Sequence, residues 1–225
     1  MKGTMKQFLR EHRYYYLLLY VPVFLLWFFL IERINTPERG YWVSYMPLDD
    51  KIPFLPIFAP IYCLWYPFLI VPGLYLLKTE PSAFRRYLWF FMIGTSACLL
   101  ICTVFPNGQD LRPASFSSDG FCVRLVQALY RADTNTNVLP SMHVVGSFAV
   151  FYGALHSKRL RRPRTLIPIS ILTVLICLST VFIKQHSFLD IIAGVVLSIP
   201  IWFLVNWMGR KLDPQSGMQA ADGNL

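Results

Sequence analysis

Charge is scarce in this chain. Of its 225 residues 15% are charged and 55% hydrophobic, with a mean hydropathy of +0.46. A water-soluble domain averages about 25% charged residues, so the composition excludes a surface that is mostly wet. Histidine is scarcer still, with four in all. The five cysteines make no disulfide framework. Cys63, Cys98, Cys102 and Cys177 fall inside apolar runs, Cys122 alone lies in a loop, and no Cys-x-x-Cys spacing offers a metal site. They read as small buried apolar residues. The chain has no internal repeat and no low-complexity tract.

Long apolar runs are what the sequence has in quantity. A stretch of about 18 to 25 such residues crosses a bilayer core about 30 Å thick. Six are read, near residues 14–31, 55–77, 87–105, 138–156, 165–183 and 188–207. They predict an all-α, single-domain membrane protein, a six-helix bundle spanning residues 1–225. The first run follows Lys2, Lys6, Arg10 and Arg13 as a signal peptide would. It is too long for one and is followed by Ile31-Glu32-Arg33 rather than a small-residue cleavage site, so it reads as an anchor. The segment 212–225 is polar and is expected to be disordered.

The net charge of +9 could suit nucleic acid, but its distribution argues against that partner. With the N-terminus cytoplasmic, 14 of the 21 basic residues fall in inner segments, the densest being Lys158–Arg164. Lysine and arginine favour cytoplasmic loops, so both termini are expected inside. The clusters then sit beside anionic headgroups. The outer loops hold Tyr41, Trp42 and Tyr45, which suit an interfacial belt. The segment 106–137 opens on the turn signal Pro106-Asn107-Gly108. It continues into Phe121–Arg131, where Phe121, Leu125, Val126 and Leu129 recur at helical spacing.

Two short segments at the ends of apolar runs carry chemistry: Pro140-Ser141-Met142-His143, and Lys184-Gln185-His186-Ser187-Phe188-Leu189-Asp190. Ionisable groups are costly at membrane depth and mark functional sites there. His186 and Asp190 stand four apart and share a helix face, where the carboxylate can hold one ring nitrogen and free the other as a nucleophile. The same stretch reads equally as a capping box, Ser187-x-x-Asp190, and both readings can hold at once. Ser141 and the first-turn amides of its helix could cradle an anion. His143 could give a proton to a leaving oxygen, or could simply pack between helices. Arg112 and Lys184 are candidate cations for phosphate oxygens, with a solvated loop residue and an interfacial anchor as the plainer readings. The assigned topology brings all six to the outer face.

Together these residues resemble the type 2 phosphatidic acid phosphatase superfamily, which also holds vanadium haloperoxidases, glucose-6-phosphatase and the sphingolipid phosphotransferases. The family pattern is Lys-x6-Arg-Pro, Pro-Ser-Gly-His and Ser-Arg-x5-His-x3-Asp. Here it becomes Phe105 through Arg112-Pro113, then Pro140-Ser141-Met142-His143, then Ser179-Thr180 leading to His186 and Asp190. The resemblance implies that His186 attacks phosphorus, Asp190 orients it, and His143 acts as acid and then base. It implies that Arg112 and Ser141 hold phosphoryl oxygens, and that no metal or other cofactor takes part. The implied substrate is a lipid phosphate or polyprenyl (pyro)phosphate drawn from among membrane lipids. The implied setting is a plasma membrane, bacterial by expectation, with the site facing outside. Phe105 and Thr180 stand where the family has lysine and arginine, and Met142 where it has glycine. Lys184, one turn beyond Thr180 on a continued helix, could replace the lost arginine. A less positive, more apolar pocket favours a lipid phosphodiester or a large headgroup. Loosened first and third motifs also resemble inositol phosphorylceramide synthases, so phosphotransfer is the alternative. An inactive lipid-binding relative is the second alternative.

Overall fold

A computed structural model describes residues 13–116 and 119–212. The basic residues Lys2, Lys6 and Arg10 and the tail from residue 213 on lie outside the described residues. The helices are α1 (Tyr20–Ile34), α2 (Ala59–Cys63), α3 (Trp65–Thr79), α4 (Pro81–Val104), α5 (Phe121–Ala132), α6 (Met142–Leu155), α7 (Pro163–Phe182) and α8 (Phe188–Leu212). Prolines stand in the first turns of α4 and α7, where the missing N–H leaves no bond unmade. Among the described residues five helical stretches, Tyr16–Ile34, Pro56–Thr79, Pro81–Val104, Pro163–Phe182 and Phe188–Lys211, are long and apolar enough to cross a membrane. The protein is an all-α integral membrane protein.

The fourth expected span behaves differently. It is helical only over the 14 residues of α6, about 21 Å at 1.5 Å per residue. It is also the most enclosed helix, with Val144, Val145, Ala149, Tyr152 and Ala154 fully buried among α3, α4, α7 and α8. Residues 138–140 ahead of it are not helical, and Asn107 Oδ1 accepts the amides of Val138 and Leu139 at 2.9 and 2.8 Å. The third span starts earlier than its apolar run, since α4 carries Arg85 and Arg86 within its first turns.

The loops at one end of the bundle are knitted together. Strand β1 (Trp42–Val43) pairs in parallel with β2 (Asn107–Gly108), and Gly108 bridges to Thr136. Pro106-Asn107-Gly108, expected as a turn, thus runs extended. Its glycine answers a close approach, because a Cβ at position 108 would lie 2.6 Å from the Tyr41 ring and 2.9 Å from the Asn135 carbonyl oxygen. Helix α5 buries Val126 against the turn residue Ile183 and the α2 residues Ala59 and Tyr62, and Val123 is buried as well, while Phe121, expected on that face, points out. At the opposite end Glu80 ties the α3–α4 turn to the α6–α7 turn. It accepts from Ser157 Oγ and from the Lys158 amide, each at 2.6 Å.

Candidate active site

Helix α7 stops at Phe182, and Lys184 takes a left-handed backbone with φ 55°. The helix therefore does not continue to carry Lys184 along the face of Thr180. A short turn instead delivers His186 to the start of α8. The Thr180 carbonyl anchors this turn by accepting the amides of Gln185 and His186 at 2.9 and 3.1 Å.

His186 is 7% exposed. Its Nδ1 lies 3.2 Å from Asp190 Oδ2 and 3.1 Å from the Val138 carbonyl oxygen. A carbonyl only accepts, so the proton belongs on Nδ1 and the lone pair on Nε2. Nε2 faces Ser141 Oγ at 3.5 Å. Asp190, wholly buried, is itself held: its Oδ1 accepts from Ser44 Oγ and its Oδ2 from the Ser187 amide at 2.9 Å. The capping contact expected of Ser187-x-x-Asp190 is therefore present alongside the histidine contact. Helices α6 and α8 meet closely here, since a Cβ on Gly194 would sit 3.1 Å from the Ser141 carbonyl oxygen.

His143 stacks between Tyr62 and Trp65, each with ring centroids 4.4 Å away, and meets the His186 ring at 5.5 Å and 70°. Both its ring nitrogens are buried with no hydrogen-bond partner. The two histidines, Met142 and Gln185 line a cavity of about 200 Å³ whose other walls include Phe24, Leu25, Phe28 and Glu32 of α1, and Asp133 and Thr134.

Arg112 and Lys184 do not line this cavity. The Arg112 guanidinium stacks on Tyr130 at 4.4 Å and donates to the carbonyls of Tyr130, Asp133 and Thr134 at 3.2, 3.1 and 2.6 Å. It also donates to Gln185 Oε1 at 2.5 Å. Lys184 Nζ donates to the carbonyls of Asp49 and Ile52 at 2.8 and 2.7 Å. Burial pulls both cations below their ordinary pKa, with carboxylates opposing: Asp133 at Arg112, and Asp49 and Asp50 at Lys184. Of the two residues that replace the family's cations, Phe105 stacks on Trp42 at 5.6 Å and Thr180 Oγ1 donates to the Cys177 carbonyl at 2.7 Å.

Four residues that sequence reasoning missed shape the site. Gln185 is 3% exposed and presents an Nε2 donor with no partner, its Oε1 being fixed by Arg112. Its position beside His186 was a signal, but an uncharged amide escapes a search for cations. Asp49 accepts from Ser187 Oγ at 2.5 Å and from the Phe188 amide at 2.7 Å, so it caps α8. Glu32 accepts from Thr134 Oγ1 and Asn137 Nδ2, each at 2.6 Å. In Asp133, burial and then the Glu32 charge push the carboxyl up to about 6, against His186 and Arg112.

This arrangement can hold a nucleophilic imidazole, a second imidazole within reach, and neutral donors around one point. No curated protein and no solved structure matches the chain. A family model described as the PAP2 superfamily matches residues 87–213, more than half the chain and all three motif segments from Arg112 to Asp190. The chain belongs to the PAP2 superfamily, a membership that supports phosphatase-type chemistry.

Proposed function

We propose that the protein is a membrane lipid-phosphate phosphatase working through a phosphohistidine at the extracytoplasmic face. The observation that carries this is the state of His186: its Nδ1 faces two acceptors, and its bare Nε2 lies beside Ser141 and His143. Nε2 attacks phosphorus as the bond to the leaving lipid oxygen breaks, and a proton from His143 goes to that oxygen. Asp190 holds the cationic ring that results. Water then gives a proton to His143 while its oxygen attacks phosphorus, breaking the P–N bond and restoring both imidazoles. If a lipid hydroxyl takes the place of water, the same steps make a phosphotransferase.

Phosphoryl charge is met by Ser141, by the opening amides of α6 with their helix dipole, and by Gln185 Nε2, an amide aligned by Arg112. Arg112 and Lys184 are positioning residues here, holding Gln185 and the first outer loop. The substrate is a lipid because α1, which packs on α4, closes one side of the cavity with Phe24, Leu25 and Phe28.

The test is release by purified full-length protein of inorganic phosphate from phosphatidic acid and polyprenyl diphosphate, and of the phosphorylated headgroup from phosphodiester lipids. His186→Ala is expected to lose at least about 10²-fold in turnover, the usual scale for such groups. Equal rates for the two proteins would end the enzymatic reading. Labelled phosphorus recovered as inorganic phosphate or a soluble phosphomonoester marks hydrolysis, and in a new lipid, transfer.

A further inference from the structure

The charge of the cavity wall is the wrong sign for a doubly anionic phosphate. Among the described residues lining it there is no lysine or arginine, but there are two carboxylates, Glu32 and Asp133. The partners of Glu32, Thr134 and Asn137, are neutral, so they fix its carboxylate without cancelling its charge. Arg112 offsets part of this field from behind the wall, with its two terminal nitrogens donating to carbonyls and to Gln185. Beside the acids stand the rings of Tyr62, Trp65, Tyr66 and Phe28. Two orphaned polar groups line the same space and point to a ligand independently. They are the ring nitrogens of His143, a residue 9% exposed, and Nε2 of Gln185, a residue 3% exposed.

We propose that the cavity selects a zwitterionic phosphodiester lipid, its headgroup ammonium lodged against Glu32, Asp133 and the aromatic wall while its phosphate faces Gln185, Ser141 and the two histidines. Such a ligand carries no net headgroup charge. One negative phosphate meets neutral donors, and one positive nitrogen meets carboxylates and π faces that attract cations. A phosphate monoester brings a second negative charge and no cation, and gains nothing from Glu32 or Asp133. The inference rests on the phosphoryl-transfer reading for the phosphate's position and names the substrate class of that site.

The test measures binding to full-length His186→Ala in nanodiscs, so that no lipid turns over. The probes are dioctanoyl lipids with choline, ethanolamine or glycerol headgroups, dioctanoyl phosphatidic acid, and soluble glycerophosphocholine. The choline and ethanolamine lipids are expected to bind at least about tenfold more tightly than the glycerol lipid and phosphatidic acid. Glu32→Gln should shrink that ratio to about twofold or less. Because Glu32 also holds two loop residues, Asp133→Asn serves as a second variant with the same expectation. Equal or tighter binding of the glycerol lipid or phosphatidic acid overturns the proposal. So does an unchanged ratio in both variants. Glycerophosphocholine binding as tightly as the lipid overturns the lipid assignment. If phosphatidic acid is turned over in a His186-dependent way with no headgroup preference, this inference fails and the phosphatase reading stands. Loss of the His186 dependence with the preference intact has the opposite meaning.

Discussion

Asp133 is a carboxyl of the cavity wall whose charge changes near neutrality. Burial is the main force raising its carboxyl to about 6, helped by Glu32 on α1 and opposed by His186 and Arg112; Tyr62 and Tyr66 also feel its charge. Below that pH it is largely neutral, and above it the wall gains a negative charge, so attraction for a headgroup ammonium strengthens as pH rises. The ratio of choline-lipid to glycerol-lipid binding is expected to grow about twofold to fivefold between pH 5 and 7.5, and to stay flat in Asp133→Asn. A flat ratio in the unmutated protein would detach Asp133 from the headgroup. Gln185 gives a second prediction. As a donor to the developing phosphoryl charge its loss should tell on kcat, and Gln185→Leu is expected to lower kcat about 10²-fold with a smaller effect on KM. A KM effect alone would make the amide a ground-state contact.

The turn 183–187 shows why positioning is shared among elements. Its Ile183 carbonyl accepts from Tyr130 OH at 2.6 Å, its Lys184 carbonyl from Gln109 Nε2 at 3.1 Å, and Arg112, Asp49 and Thr180 hold the rest. Lys184 clamps the loop that carries Asp49, and Asp49 caps α8. Lys184→Ala is therefore expected to lower thermal stability while leaving the vanadate inhibition constant within about twofold, the scale of a lost remote contact rather than a lost charge–phosphate bond. A tenfold weaker inhibition would return Lys184 to the phosphate. Asp49→Ala should cost about 1–2 kcal/mol in unfolding, the scale of a lost helix cap.

What the sequence disclosed follows the same division. His186 with Asp190, and Ser187 with Asp190, are relations of four and three residues, so helical periodicity exposes them. Ser44 reaches Asp190 across 146 residues and Glu32 reaches Asn137 across 105, and no local pattern encodes such contacts. Lys184 misled because the projection assumed a helix that ends two residues earlier. The spans were legible from hydropathy, except that α6 begins only after a stretch whose backbone is claimed by Asn107.

At the scale of the whole molecule the two ends of the bundle differ in kind. One carries Lys78, Arg85 and Arg86, the run Lys158–Arg164, and Arg210 with Lys211, at the turns joining α3 to α4 and α6 to α7 and at the end of α8. The other carries the interlocked loops, the two histidines and the carboxylates. Basic turns are retained on the cytoplasmic side, so on the function proposed above the lipid that reaches His186 is drawn from the opposite leaflet. Cys122 reports this directly. It is partly exposed at the start of α5, among the loops of the histidine end, whereas Cys98, Cys102 and Cys177 are buried in helices and Cys63, also partly exposed, lies within the apolar stretch Pro56–Thr79. In intact cells a membrane-impermeant maleimide added outside is expected to label the protein, and Cys122→Ser is expected to remove the label. Labelling that requires the cytoplasmic face to be opened would reverse the bundle, and the pool of lipid available to His186 would then be the inner leaflet.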